Sequence, residues 1–191
     1  ATSAVYDGFT FPAATMTASG STAITTATGF NLANIAIPNI ASAANVTNSA
    51  TWYIAGAPTI SGGGAITNAY ALWVDSGVAR FDGAIIGKQG TDIASGTTIV
   101  IPTDGNTFEL TGTTAVTLIT TTGYQDGHEI TLVANESVVM TNGTATSGAN
   151  VTILLAAAGN YSMTANDTLK LVLSTTTAGG QAWREMGRSV N

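Results

Sequence analysis

The sequence predicts an all-β chain that assembles as an elongated homo-oligomer. Three observations predict it: a Thr-rich composition poor in large apolar side chains, strand-like runs at regular spacing, and Gly, Asn and Asp between the runs. Of the 191 residues 45% are hydrophobic, but much of that is Ala. Val, Ile, Leu and Phe make up about a fifth of the chain, near the lower edge for a packed domain. Thr is β-branched and suits a pleated, half-buried surface. A chain with so little bulk must pack small residues close to an axis or bury itself against its own copies.

Only 8% of residues are charged, against roughly a quarter in ordinary globular proteins. The net charge is -6, and the five basic residues, Arg80, Lys88, Lys170, Arg184 and Arg188, are scattered. Nucleic acid and anionic membrane surfaces are therefore not expected as partners. No apolar run approaches the ~18 residues of a spanning helix, so membrane insertion is not expected either. There is no cysteine, which excludes disulfides and thiolate metal sites. The chain opens at Ala1 without a signal-like segment and is expected to be a piece of a longer product.

Residues 1–50 are Ala/Thr/Ser-rich with short apolar pairs such as Phe9 and Phe11, and are expected to form an extended attachment arm. Residues 51–90 read as a strand-turn-strand stem. Two strand-like runs, ATWYIAGAP and AYALWVDSGVARFDGAI, flank the Gly-rich turn region SGGGAITN. Gly87-Lys88-Gln89-Gly90 reads as a linker and places a boundary near residue 90. Residues 91–191 are expected to be a C-terminal β domain, a β-sandwich, roll or short β-solenoid. Its strand centres are expected near 100, 109, 117, 131, 139, 153, 162, 171 and 184. Alternation is sharpest at Leu169-Lys170-Leu171-Val172-Leu173.

Within this domain, residues 98–122 line up weakly with 152–177. Thr98 matches Thr152, Asn106 matches Asn160, and Leu118 matches Leu171 after one deletion. An internal duplication would stack two similar halves on one apolar seam; chance likeness in a Thr-rich chain is the competing explanation.

WYIAGAP at 52–58 and NAYALWVDSGVARFDG at 68–83 resemble a stretch found in tail-fibre and other structural proteins of tailed bacteriophages. The block IPTDGNTFELTGTT, the turn Gly123-Tyr124-Gln125-Asp126-Gly127 and the closing Trp183-Arg184-Glu185 are similar to a C-terminal domain of such fibres. The resemblance covers roughly residues 50–191. It implies a homotrimeric virion appendage with intertwined chains on the exterior of the particle, contacting other virion proteins. It supplies no catalytic residue.

Candidate chemistry is sparse. His128 is the one histidine, it opens a strand after a turn, and no GxSxG elbow accompanies it, so no catalytic residue is assigned. Most of the eleven acids sit in turns beside Gly or Asn, where a carboxylate bonds its own backbone. A glycosidase pair assembled across an oligomer interface is the enzymatic alternative. No calcium-loop or zinc pattern occurs, and no metal or cofactor is expected. The sequons at Asn45, Asn135, Asn142, Asn150 and Asn166 follow from Thr-rich composition.

Aromatic side chains offer large contact area at low entropic cost. Trp52, Trp73 and Phe81 are the candidate oligomer-interface residues. Tyr124, in a turn, is the candidate exposed contact, and with Gln125, Asp126 and His128 forms the candidate receptor-contact set, a host surface glycan being the receptor class. The expected function is a non-enzymatic fibre or spike subunit. The alternatives are a capsid-decorating protein and a glycan-cleaving spike.

Overall fold

The computed structural model describes residues 50, 54, 57, 59, 70–74, 77–176 and 179–189. The chain divides into two units, Ala1–Ala79 and Arg80–Asn191. In the first unit the described residues form no strand, and Tyr70, Leu72, Trp73 and Val74 are exposed. Tyr70 and Trp73 touch each other, with ring centroids 5.7 Å apart.

The second unit holds ten strands and no helix among its described residues. They are β1 (Ile93–Ala94), β2 (Thr98–Ile99), β3 (Thr107–Thr111), β4 (Leu118–Thr120), β5 (Glu129–Ala134), β6 (Val138–Met140), β7 (Asn150–Leu154), β8 (Tyr161–Met163), β9 (Thr168–Thr175) and β10 (Gln181–Ser189). Each of the nine expected strand centres falls in a strand or one residue from it. Alternation explains why. Phe108 and Leu110 on β3, Ile130, Leu132 and Ala134 on β5, and Leu169, Leu171 and Leu173 on β9 all point into one core. Burying each large aliphatic side chain contributes about 1.5–3 kcal/mol.

Eight strands form one sheet in the order β1-β3-β5-β9-β10-β7-β4-β2, and β6 pairs with β8 in a small second sheet. Laid flat, eight strands would span about 34 Å. Yet the two edge strands, β1 and β2, are separated in the chain only by Ser95, Gly96 and Thr97, a reach of at most about 14 Å. The sheet must therefore roll until its edges nearly meet. Residues 95–97 fill the gap: Ser95 N–H donates to Thr111, while Thr117 and Leu118 N–H donate to Thr97. Ile93 and Ile99, one from each edge, both enter the core. The small sheet joins through Val116, whose N–H donates to Val139 and whose carbonyl accepts from Thr141.

The domain is all-β, as expected, and is built on one nearly closed sheet; its halves do not repeat. β2 pairs with β4, whereas their aligned counterparts β7 and β9 both flank β10. β3 lies in the large sheet and its counterpart β8 in the small one. The likeness of 98–122 to 152–177 is thus one of composition and alternation, not of pairing.

The run AYALWVDSGVARFDGAI also departs from expectation. Its described residues form no strand, because none has a strand to pair with, and a lone strand leaves its backbone groups unpaired. Phe81 is 61% exposed. The Gly87–Gly90 linker is instead docked. Asn106 N–H donates to Lys88 C=O at 3.0 Å, Gly90 N–H donates to Thr107 C=O at 2.8 Å, and Gln89 bridges Thr107 in parallel. Glycine is required here by close approach: a Cβ on Gly105 would lie 2.4 Å from Gly90 N and 2.6 Å from Lys88 O.

Candidate functional site

Three loops converge at the ends of the central strands. The loop between β4 and β5 (121–128) is tied to the loop before β7 by Thr121 N–H donating to Ala149 C=O at 2.8 Å, and by the Thr120 hydroxyl donating to the same carbonyl at 3.1 Å. It is tied to the β9–β10 turn by Asp126, whose carboxylate accepts from Thr175 N–H and from Gln181 Nε2, each at 2.9 Å. Gln181 and Thr146 then exchange both backbone hydrogen bonds, at 2.6 and 3.2 Å. Loop 142–146 also covers β7: the Thr152 hydroxyl donates to Thr144 C=O at 2.6 Å, and Gly143 lies so close that a Cβ would meet the Thr152 side chain at 2.9 Å. That cover explains why Val151, Thr152 and Ile153 are buried consecutively on a strand.

The four candidate contact residues lie together in loop 121–128 but face different ways. Tyr124 is half-buried, not the projecting aromatic its turn position suggested. Its hydroxyl donates to Pro102 C=O at 2.6 Å, and its ring meets Trp183 edge-on at 5.5 Å. Burial raises its pKa, and the Asp104 charge adds to that. Trp183 itself has no exposed surface. His128 is exposed and stacks edge-on against Tyr124, centroids 5.2 Å apart. Its Nδ1 lies 2.9 Å from the Gln125 backbone N–H and 3.0 Å from the Gln125 carbonyl oxygen. Asp126 is exposed, and its bonds from Thr175 and Gln181 hold its pKa below the ordinary carboxylate value despite some desolvation. Of the interface candidates, Trp73 is 72% and Phe81 61% exposed, and neither is in a strand; Trp52 lies outside the described residues.

An open depression of about 300 Å³ is lined among the described residues by Ala145, Thr146, Ser147, Thr176, Gly179 and Gly180. The hydroxyl oxygens of Thr146, Ser174 and Thr176 are buried without a hydrogen-bond partner among the described residues. An unsatisfied buried hydroxyl costs about 1–3 kcal/mol. The sequence flagged the 142–150 turn, but nothing in it marked Gln181, which pairs with Thr146.

A second polar cluster closes the far part of β10. Glu185 takes a bidentate pair of bonds from Arg188, and also accepts from Ala156 N–H at 2.9 Å. The Arg188 guanidinium lies over the Tyr161 ring at 4.1 Å. Hydrogen bonding to Arg188 lowers the Glu185 pKa. Every group here is engaged internally, so the cluster reads as structural. Among the described residues no three His, Cys, Asp or Glu side chains gather to hold a metal, and no helix is long and apolar enough to cross a membrane. Set against protein-family models, curated proteins and solved structures, the chain matches none of them.

Proposed function

We propose that the chain is a structural subunit of a tailed-bacteriophage virion appendage, a fibre or spike on the outside of the particle, working as a homotrimer. In this reading the N-terminal part attaches to other virion proteins. The rolled β domain displays loops 121–128 and 145–149 toward the host surface. It has no catalytic step.

One observation carries the reading: in and just after the run that resembles fibre proteins, the described apolar side chains stand exposed. Trp73, Val78, Phe81, Ile85 and Ile86 are 72%, 95%, 61%, 73% and 91% exposed, whereas the apolar side chains of the β domain form one buried cluster. Exposed apolar surface of this extent favours burial between chains. The charges from Asp75 to Lys88 (Asp75, Arg80, Asp82, Lys88) cancel within a chain of net charge -6, so copies can approach along this run without repulsion. Sedimentation equilibrium of the full chain at micromolar concentration should give three times the monomer mass. A stable folded monomer overturns the trimer. Labelled antibody on intact particles should decorate the tail; decoration of the head would instead favour a capsid-stabilising role.

A further inference from the structure

We propose that the Asp82-Gly83 bend is a site of spontaneous backbone modification, where aspartate converts to isoaspartate in the folded protein. The inference does not depend on the appendage reading. Four Asp-Gly or Asn-Gly pairs lie among the described residues: Asp82-Gly83, Asp104-Gly105, Asp126-Gly127 and Asn142-Gly143. At each, the glycine nitrogen can attack the side-chain Cγ of the residue before it, because no Cβ hinders the approach or the rotation it needs. At an Asp the N–Cγ bond forms and a Cγ–O bond breaks. The carboxyl hydroxyl leaves with the nitrogen's proton as water, and a cyclic imide closes. Water then adds back to either imide carbonyl. Opening at Cγ restores Asp. Opening at the main-chain carbon breaks its bond to the glycine nitrogen and routes the chain through Cγ, with mass unchanged. At an Asn the first leaving group is ammonia instead.

Internal bonding separates the four pairs. The Asp104 carboxylate accepts from Thr91 N–H at 3.1 Å and from the Thr91 hydroxyl at 2.8 Å, and Gly105 is pressed against the backbone of Lys88 and Gly90. The Asp126 carboxylate is held by Thr175 and Gln181, and Gly127 N–H donates to Leu173 C=O at 2.8 Å. Asn142 Oδ1 accepts from Leu155 N–H at 2.8 Å, and Gly143 N–H donates to Ile153 C=O at 2.9 Å. In all three the side chain under attack is anchored, and in two the attacking nitrogen is engaged as well. Hydrogen bonding to Thr91 and to Thr175 also lowers the pKa of Asp104 and of Asp126, so each must gain a proton before it can lose water. Asp82-Gly83 lies outside every strand, and a Cβ on Gly83 would meet nothing within 4 Å. Neither residue makes a backbone hydrogen bond among the described residues. The one contact is Arg80 on the Asp82 carboxylate, between side chains 83% and 76% exposed, which water screens.

The test ages the full chain at neutral pH and micromolar concentration, folded and in denaturant. Digestion and electron-transfer fragmentation then tell isoaspartyl from aspartyl peptides site by site. Folded, residue 82 should accumulate isoaspartate ahead of residues 104, 126 and 142. Unfolded, Asn142 should overtake it, because a neutral amide loses ammonia more readily than an ionised carboxylate loses water. The Asp82→Asn variant removes that difference and compares two Asn-Gly pairs in one chain. In denaturant, positions 82 and 142 should deamidate alike. In the folded variant, position 82 should keep its unfolded rate while position 142 slows at least about tenfold, because two internal hydrogen bonds must open first. Gly83→Val, which has room for its side chain, should slow the reaction at residue 82 in both states by hindering the attacking nitrogen. The proposal is overturned if folding slows position 82 as much as position 142. It is overturned if residue 82 of the folded wild type stays unmodified while the same residue reacts in denaturant. Isoaspartate forming as fast in Gly83→Val would exclude the imide route and overturn it too.

Discussion

Trp183 shows how much one residue holds in a chain so thin in bulk. It is fully buried against Tyr124, and its indole N–H donates to Thr120 C=O at 3.4 Å across the roll. Trp183→Ala should destabilise the β domain by about 3–5 kcal/mol, while Trp183→Phe, which keeps most of the volume, should cost far less; chemical denaturation of the two variants measures the difference. Acid response is also set by single residues. Bonds from Thr175 and Gln181 lower the pKa of Asp126, and Arg188 lowers that of Glu185. A lowered folded-state pKa stabilises above the unfolded value and is lost as pH falls through the folded one. The melting temperature should therefore hold from neutral pH down to about pH 4 and fall below it. The double variant Asp126→Asn, Glu185→Gln should melt lower at neutral pH and change less with acid.

Strand β10 carries a bulge that its sequence conceals. Glu185 pairs with Leu171 and Gly187 with Lys170, so Met186 is the extra residue. In a regular strand residues three apart face opposite ways, yet Glu185 and Arg188 meet because the bulge restores their common face. Deleting Met186 should leave the 185–188 pair and the register intact. Deleting Val172 from regular β9 would turn Leu173 or Leu171 outward. Thermal melts should show a small shift for the first and loss of a cooperative transition for the second. Nine of ten strands were legible because period-two alternation and Gly or Asn turns are local signals. β1 was not, because Ile93–Ala94 holds one large apolar side chain, whereas the equally short β2 lies in the run Thr98-Ile99-Val100-Ile101. Nor was the inward turn of Tyr124, which depends on Trp183 some sixty positions away, or the pairing of Thr146 with Gln181, thirty-five positions apart. The 87–90 segment looked like a free linker because its glycines serve close packing rather than flexibility.

At the scale of the molecule, residues 80–191 hold a complete apolar core, and a fragment of that span should unfold cooperatively by calorimetry. A broad, non-cooperative transition would mean that the roll needs its N-terminal partner to close. The order of strands in that roll has a consequence in time. β9 and β10 are the one consecutive pair that are neighbours in the large sheet, and they sit at its centre. β1 and β2, the first strands made, are its two edges and can be placed only after β3 and β5 on one side and β7 and β4 on the other. β10 alone joins those two sides. A ribosome making this domain therefore delivers its edges first and its keystone last, and the halves β1-β3-β5-β9 and β7-β4-β2 stay unjoined until residues 181–189 emerge. Chains stalled before residue 181 should be digested rapidly by protease, and chains stalled with 189 clear of the exit tunnel should resist, with little graded protection between.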